Sequence, residues 1–364
     1  MEHRIHRRTG DKIGVLGLGT SALAGAGERE GIETLRLALE SGVNYYDLAT
    51  AESVNFTTFG KAFAGARDQV LYQIHFGACY GDGQSYSWTT ELDPVRRSVD
   101  RQLKALGTDY IDYGFIHCLD ERADWEQYQA NGVLDYLLEM KKSGVVRHIG
   151  LSSHTPEVAN EILDTGLVDM LMFSINPAYD YQRGEFANGS GAERQALYQR
   201  CEAEGVGITV MKPFSAGQLL DEKTSPFGMS LTEHQCIQYA LDRPGVLAVL
   251  PGVRGKSDLE RLLAFFQTTE AERDYSAIGT VTPKEMEGTC VYCNHCQPCP
   301  AGLDVGLINK YYDLARTGDA LAAHHYRDLA VRADACVACG HCNDRCPFHV
   351  DQVGRMEEIR AYFG

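Results

Sequence analysis

Eight of the twelve cysteines in this 364-residue chain stand in two short runs near its end. Cys290, Cys293, Cys296 and Cys299, followed by Pro300, read C-x2-C-x2-C-x2-C-P. Cys336, Cys339, Cys342 and Cys346, followed by Pro347, read C-x2-C-x2-C-x3-C-P. The second spacing is that of a bacterial 4Fe–4S run, and the first is one residue shorter in its last gap. Three thiolates so closely spaced reach three corners of one cubane, while the fourth, beside the proline, turns to the neighbouring cluster. Cys290, Cys293, Cys296 and Cys346 are therefore expected to hold one 4Fe–4S centre, and Cys336, Cys339, Cys342 and Cys299 the other. Zinc is the competing occupant, but its sites use two x2 pairs at longer separation rather than four thiols in one run. Two adjacent centres suit electron transfer; they could equally staple the segment that carries them.

The remaining thiols, Cys79, Cys118, Cys201 and Cys236, are scattered, so the pattern is one of metal ligation in a reducing cytoplasm and not a disulfide framework. A formal charge of −16 and a pI near 5.2 exclude nucleic acid and anionic membrane as expected partners. A redox partner such as a ferredoxin is compatible with that surface. No run of eighteen apolar residues is present, and "MEHRIHRRTGDKIG" has no apolar stretch of the kind that directs secretion.

Ahead of the cysteines, eight short apolar runs alternate with amphipathic stretches: "IGVLGLG", "NYYDL", "VLYQIHF", "YIDYGFIH", "RHIGLSS", "MLMFSIN", "GITVMKP" and "VLAVLPG". Near-continuous apolar strands separated by helices such as "IETLRLALESG" and "PVRRSVDRQLKALG" imply a parallel sheet covered by helices. Eight of them predict an α/β fold, a closed (β/α)8 TIM barrel over residues 1–265. A polar linker over 266–285 follows, then a small α-helical, ferredoxin-like domain over 286–364 with two 4Fe–4S clusters. Insertions at 78–90, 119–132 and 177–192 fall after strands three, four and six, where a barrel keeps its active site. Tyr80, Tyr86, Trp88, Tyr179 and Tyr181 in two of these loops suit stacking on a sugar or an aromatic small molecule.

"VLGLGT", "GVNYYDLA", "GTDYIDYGFIH", "GVVRHIGLSSH" and "GVLAVLPG" resemble the aldo/keto reductases, and "SINPAYDY", "MKPF" and the twin cysteine runs resemble their iron–sulfur branch. The resemblance covers essentially the whole chain. It implies a barrel that reduces carbonyls with NAD(P)H through an Asp, Tyr, Lys and His group at the carboxyl ends of the strands. Asp47 matches the family Asp and His117 the His. The family Tyr position is Glu52, which could be a second acid or an exposed loop carboxylate, and the Lys position is His75. An Asp47–His75 pair can hold or deliver a proton near neutral pH where Tyr and Lys would have done so. Cys118, next to His117, is expected to face the core by strand alternation.

The resemblance places the nicotinamide amide against Ser152, Ser153 and Asn176, although the family Gln position is Met172. Phosphates would be met by "KPFSAG", with Lys212, Ser215 and Gly217, and by "PGVRGKS", with Gly252, Arg254 and Lys256. The family's adenine contact reads Arg261-Leu262. Three functions compete: a carbonyl–hydroxyl oxidoreductase fed by NAD(P)H or by the clusters, a lyase or isomerase using Asp47, His75 and His117 with structural clusters, and an electron-transfer partner protein.

Overall fold

The computed structural model describes residues 1–364 apart from 51, 81–85, 183–185, 282–287 and 317–318. Parts of the predicted loops at 78–90 and 177–192, the last residues of the predicted linker and the first two of the predicted C-terminal domain thus lie outside the described residues.

The eight apolar runs form one eight-stranded parallel sheet. Its strands are β1 (Leu18–Gly19), β2 (Tyr45–Asp47), β3 (Leu71–Phe76), β4 (Ile111–Ile116), β5 (Val146–Ser153), β6 (Met170–Ser174), β7 (Gly207–Met211) and β8 (Val246–Val249). Neighbours in sequence are neighbours in the sheet, and parallel bridges Leu16↔Val249 and Gly19↔Gly252 join its first and last strands. Covering helices, among them Glu28–Glu40, Leu92–Leu106 and Pro156–Leu163, carry buried apolar stripes on otherwise polar surfaces, as amphipathic spacing requires. Glycine in the left-handed conformation ends Leu92–Leu106 at Gly107.

Alternation along the strands sorts side chains into layers inside the barrel. Tyr45, Tyr113, Phe115, Met170, Met172 and Ala248 pack with Ile13 and Leu250 in its interior. A hairpin, His3–Ile5 with Lys12–Gly14, precedes β1, and Asp11 in its turn accepts a 2.5 Å hydrogen bond from the Tyr113 hydroxyl. Polar residues take over toward the carboxyl ends, where Asp47 is in register with Gln73 and His75 with Phe115.

The chain divides into two compact units: 1–174 with 206–213 and 247–268, and 175–205 with 214–246 and 269–364. This division differs from the boundary that composition suggests at 265, because the second unit gathers the helices Gly191–Glu204 and Glu233–Leu241 with the cysteine-bearing tail. Within it, buried Arg243 donates to Tyr275 Oη (3.2 Å) and to the Val291 carbonyl, and Lys310 donates to the Asp242 carbonyl (3.3 Å). The expected linker is also more ordered than its polarity implies. It contains the short helical segments Glu270–Arg273 and Ser276–Val281, with Tyr275 and Ile278 buried.

The second unit also contains a buried charge. Asp180 accepts hydrogen bonds from Arg194 Nε (2.8 Å), Tyr198 Oη (2.7 Å) and Tyr239 Oη (2.8 Å).

Candidate active site

At the carboxyl ends of β2, β3 and β4 the strand register brings together three of the four residues expected to be catalytic, Asp47, His75 and His117. His75 Nε2 lies 2.9 Å from Asp47 Oδ1, and His75 Nδ1 lies 2.9 Å from His117 Nδ1. The line continues: His117 Nε2 lies 2.9 Å from the Tyr86 hydroxyl. Asp47, His75 and His117 are buried, whereas Tyr86 is 42% exposed. Four groups thus form one hydrogen-bonded line from a buried carboxylate to an accessible phenol.

The hydrogen positions follow from the pattern of partners. The Asp47 carboxylate can only accept, so His75 Nε2 donates to it; Gln73 Nε2, 2.9 Å from the same ring nitrogen, also donates to Asp47 Oδ1 (3.2 Å), as does Ala49 N (3.0 Å). His75 Nδ1 must then accept from His117 Nδ1, which leaves His117 Nε2 to accept from Tyr86. Burial, followed by repulsion from His75 and His154, holds His117 well below the ordinary imidazole range. Burial pushes the Tyr86 hydroxyl up to about 12, so the phenol carries its proton at neutral pH.

Tyr86 arrives on a hairpin, Ala78–Tyr80 with Tyr86–Trp88, that fills the first predicted insertion. Trp88 Nε1 donates to the His117 carbonyl (3.3 Å), tying the hairpin to the end of β4. Gly77, with φ +138°, lets the backbone pass His117, since a Cβ there would meet His117 Cβ at 3.0 Å. Sequence spacing hides Tyr86, which lies 31 residues before its partner. The available signal was an aromatic-bearing insertion after strand three.

The other expected residues are placed as follows. Glu52 is exposed, its backbone carbonyl accepts from the Thr50 hydroxyl (3.2 Å), and its carboxylate is not part of the Asp47–Tyr86 line. Ser152 is buried at the end of β5, while Ser153 Oγ donates to Asp120 Oδ1 (3.2 Å). Asn176 Oδ1 caps the turn Pro177–Asp180 by accepting from Tyr179 N (3.0 Å), and Ser215 Oγ donates to Gln218 (3.2 Å). Gly217 has φ +89° and precedes the short helix Gln218–Leu220. Gly252 has open space where a Cβ would stand, and Lys256 begins the helix Lys256–Leu263. Arg254 donates to both carboxylate oxygens of Asp258 (2.8 and 3.1 Å), and Arg261 donates to it as well (3.0 Å). Hydrogen bonds from Arg254 hold Asp258 well below the usual carboxylate range. For a nicotinamide dinucleotide, the loop and helix start at Gly252–Lys256 fit phosphate oxygens. Ser153 Oγ and Asn176 Oδ1 are each engaged in the protein's own turns.

Cys118 does not face the core. Strand β4 ends at Ile116, so alternation no longer applies, and φ +50° at Cys118 swings its side chain toward the Asp120 loop.

In the second unit the eight tail thiols sort across the two runs. Cys299, Cys336, Cys339 and Cys342 line one pocket, with Leu303, Val305, Val353 and Met356 as apolar walls. Burial raises Cys293 and Cys296, with further repulsion from Cys290 and Cys346, which are their electrostatic neighbours. His341 Nε2, buried with no hydrogen-bond partner among the described residues, belongs to a residue lining the same pocket. Backbone N–H groups of Tyr292 and His295 donate to the Cys290 and Cys293 sulfurs. Tyr292, Asn294 and Ala338 between the cysteines adopt φ of +61°, +58° and +53°, which wraps the backbone around the thiols. One zinc would hold four thiolates about 3.8 Å apart, given Zn–S bonds of about 2.3 Å. Among the described residues only Cys118, Asp120 and His154 bring three candidate ligand atoms within 4.8 Å of one another. The tail thiols are therefore set wider than a single zinc requires, and they fit a bulkier group.

Acid should destabilise the fold through its buried imidazoles. His6 and His117 are both held below their ordinary value, chiefly by burial, and His6 Nε2 donates to the Asp169 carbonyl (2.7 Å). The unfolded chain protonates them near pH ~6.5 and so binds more protons than the folded one below that pH. Stability is then intact above ~6.5 and lost as the pH falls. We expect the melting temperature to drop between about pH 6.5 and 5 in a series of buffered thermal melts; a flat profile there would contradict the burial of both rings.

The aldo/keto reductase family model matches residues 15–235. The chain is 26% identical over 285 residues to the oxidoreductase YqkF of Bacillus subtilis, covering 72% of this chain and 89% of that protein. It is 26% identical over 320 residues to the aldo-keto reductase YhdN of the same organism, covering 77% and 93%. The solved holo form of aldo-keto reductase AKR11C1 from Bacillus halodurans shares the fold, with a TM-score of 0.63 at 21% identity over 78% of this chain and 97% of that one. Among the described residues no helix is long and apolar enough to cross a membrane. The matched residues span more than half of the sequence and include every residue of the Asp47–Tyr86 line, and the chain belongs to the aldo/keto reductase family.

Proposed function

We propose that this protein is an oxidoreductase that interconverts a carbonyl and a hydroxyl on a sugar-like or aromatic small molecule, with its proton carried along Asp47, His75, His117 and Tyr86. The single observation that carries this reading is the unbroken line of 2.9 Å contacts from the buried carboxylate to the accessible phenol. In its resting proton state every hydrogen points from Tyr86 toward Asp47, which suits removal of a proton from a substrate hydroxyl. One more proton, held on His75, leaves its bond to Asp47 in place, reverses the two bonds between His75 and His117 and between His117 and Tyr86, and points the Tyr86 hydroxyl outward at a carbonyl oxygen. Carbonyl reduction consumes two electrons and two protons, and the line accounts for the proton that ends on oxygen.

The tail thiols are assigned to two 4Fe–4S clusters, one on Cys290, Cys293, Cys296 and Cys346 and one on Cys299, Cys336, Cys339 and Cys342; such clusters exchange electrons singly. A nicotinamide dinucleotide, when bound, supplies a hydride, and Gly252, Arg254 and Lys256 are the residues that would hold its phosphates. The apolar cavity walls and N–H···S hydrogen bonds are the surroundings by which a protein tunes such a cluster.

Anaerobic protein bleached with dithionite, then mixed with a panel of aldoses and aromatic aldehydes, should recover its visible absorption with alcohol formed. If no carbonyl reoxidises the clusters and none consumes NAD(P)H, the oxidoreductase reading is wrong. The crossed ligand sets predict that Cys299→Ser perturbs the paramagnetic resonance signal of the Cys336 cluster and spares the other. Cys346→Ser should do the reverse. Loss of the Cys290 cluster signal in Cys299→Ser would overturn the assignment.

A further inference from the structure

Cys118, Asp120 and His154 form a group apart from both the proton line and the tail thiols. Asp120 Oδ2 lies 2.8 Å from His154 Nδ1 and 4.0 Å from Cys118 Sγ, and one candidate ligand atom from each residue falls within 4.8 Å of the others. All three belong to the first compact unit, on the segments that follow β4 and β5. His154 is buried, and Cys118 and Asp120 are partly so. Asp120 also accepts from His154 N (2.5 Å) and Ser153 Oγ (3.2 Å), which fixes the carboxylate in place. Against burial, hydrogen bonds from His154 and Ser153 hold Asp120 below the usual carboxylate range. On the far side of the ring, Lys212 Nζ lies 2.7 Å from His154 Nε2.

One thiolate, one carboxylate and one imidazole are the donors that borderline divalent metals select, and three protein ligands leave a fourth position for water or substrate. A tetrahedral ion about 2.0–2.2 Å from its oxygen and nitrogen ligands would set those two atoms roughly 3.3 Å apart. The present 2.8 Å is the separation that a shared proton imposes, and half an ångström of side-chain adjustment separates the two states. We propose that Cys118, Asp120 and His154 form a mononuclear site for a zinc-class divalent cation. Loading it releases the thiol proton to solvent, moves the one imidazole hydrogen from Nδ1 to Nε2 and changes no oxidation state. The imidazole hydrogen then belongs on Nε2, where it opposes an N–H of Lys212, so the lysine competes with the metal. His154 is also an electrostatic neighbour of His117, which places the ion beside the proton line. The site itself does not depend on the oxidoreductase reading.

Co2+ is the probe. Anaerobically purified full-length protein with its tail groups in place is titrated with Co2+, following thiolate-to-cobalt charge transfer in the near ultraviolet and the visible bands of tetrahedral cobalt. One ion per chain is expected, with the charge-transfer band lost and affinity down at least ~10-fold in Cys118→Ser. Lys212→Met should bind more tightly than wild type. His154→Ala carries a risk of unfolding because Asp120 depends on it, so Cys118→Ser and Lys212→Met bear the test. Absence of a cobalt–thiolate band, its persistence in Cys118→Ser, or weaker binding in Lys212→Met would each overturn the site.

Discussion

Tyr86→Phe should lower kcat by about 10²–10⁴-fold, the range that a positioned general acid or base contributes. The change removes one oxygen from a side chain that is 42% exposed and takes the donor from His117 Nε2, so stability should fall by no more than about 1 kcal/mol where water replaces it. Near-unchanged melting with collapsed turnover separates a chemical role from a structural one, a separation that His75→Ala cannot supply by itself, because His75 is buried between Asp47 and His117. His75→Ala should nonetheless lose comparable activity, since it cuts the line in the middle. A Tyr86→Phe enzyme with wild-type kcat on every substrate would end the proton-line reading.

Asp180→Ala carries the largest expected effect on stability. Its carboxylate serves Arg194, Tyr198 and Tyr239 at once, and Arg194 is fully buried. Removing one partner of a buried pair costs about 3–5 kcal/mol, because the remaining charge keeps its desolvation penalty without the compensating attraction. Two buried hydroxyls also lose their acceptor, at about 1–3 kcal/mol each where nothing replaces it. Urea unfolding of the second unit should show the loss as a lower midpoint. Replacement of both Asp180 and Arg194 by apolar residues of similar volume should recover part of it; equal loss in the single and double variants would show that the pair is not the source.

Much of the barrel was legible because its signals are local. Each strand announced itself by a short apolar run, and His75 and His117 were legible because the resemblance to the aldo/keto reductases marks the ends of strands three and four. Tyr86 was not legible as a partner of His117, because a hairpin delivers it across 31 residues and no period or motif encodes that fold-back. Cys118 was misplaced for the opposite reason. A local rule, strand alternation, was carried two residues past Ile116 into a position with φ +50°. The segment from 266 onward looked like a linker because its short helical turns bury few residues, Tyr275 and Ile278 among them, and so leave no amphipathic period to read. The extent of the second unit was hidden as well: composition changes near the cysteines, whereas the contacts of Arg243 and Lys310 that join tail to helices are single residues within ordinary sequence.

Cys299 lines the cavity of the second cysteine run, and Cys346 neighbours the thiols of the first. The two runs are therefore interleaved like the links of a clasp. Under the ligand sets proposed above, a ribosome that has released residues up to 335 has delivered neither complete set of four thiols, so neither set can be filled before Cys342 is made. On the same assignment, loss of either run would disable both sets, and a chain truncated before Cys336 would be left with three thiols of one set and a single thiol of the other.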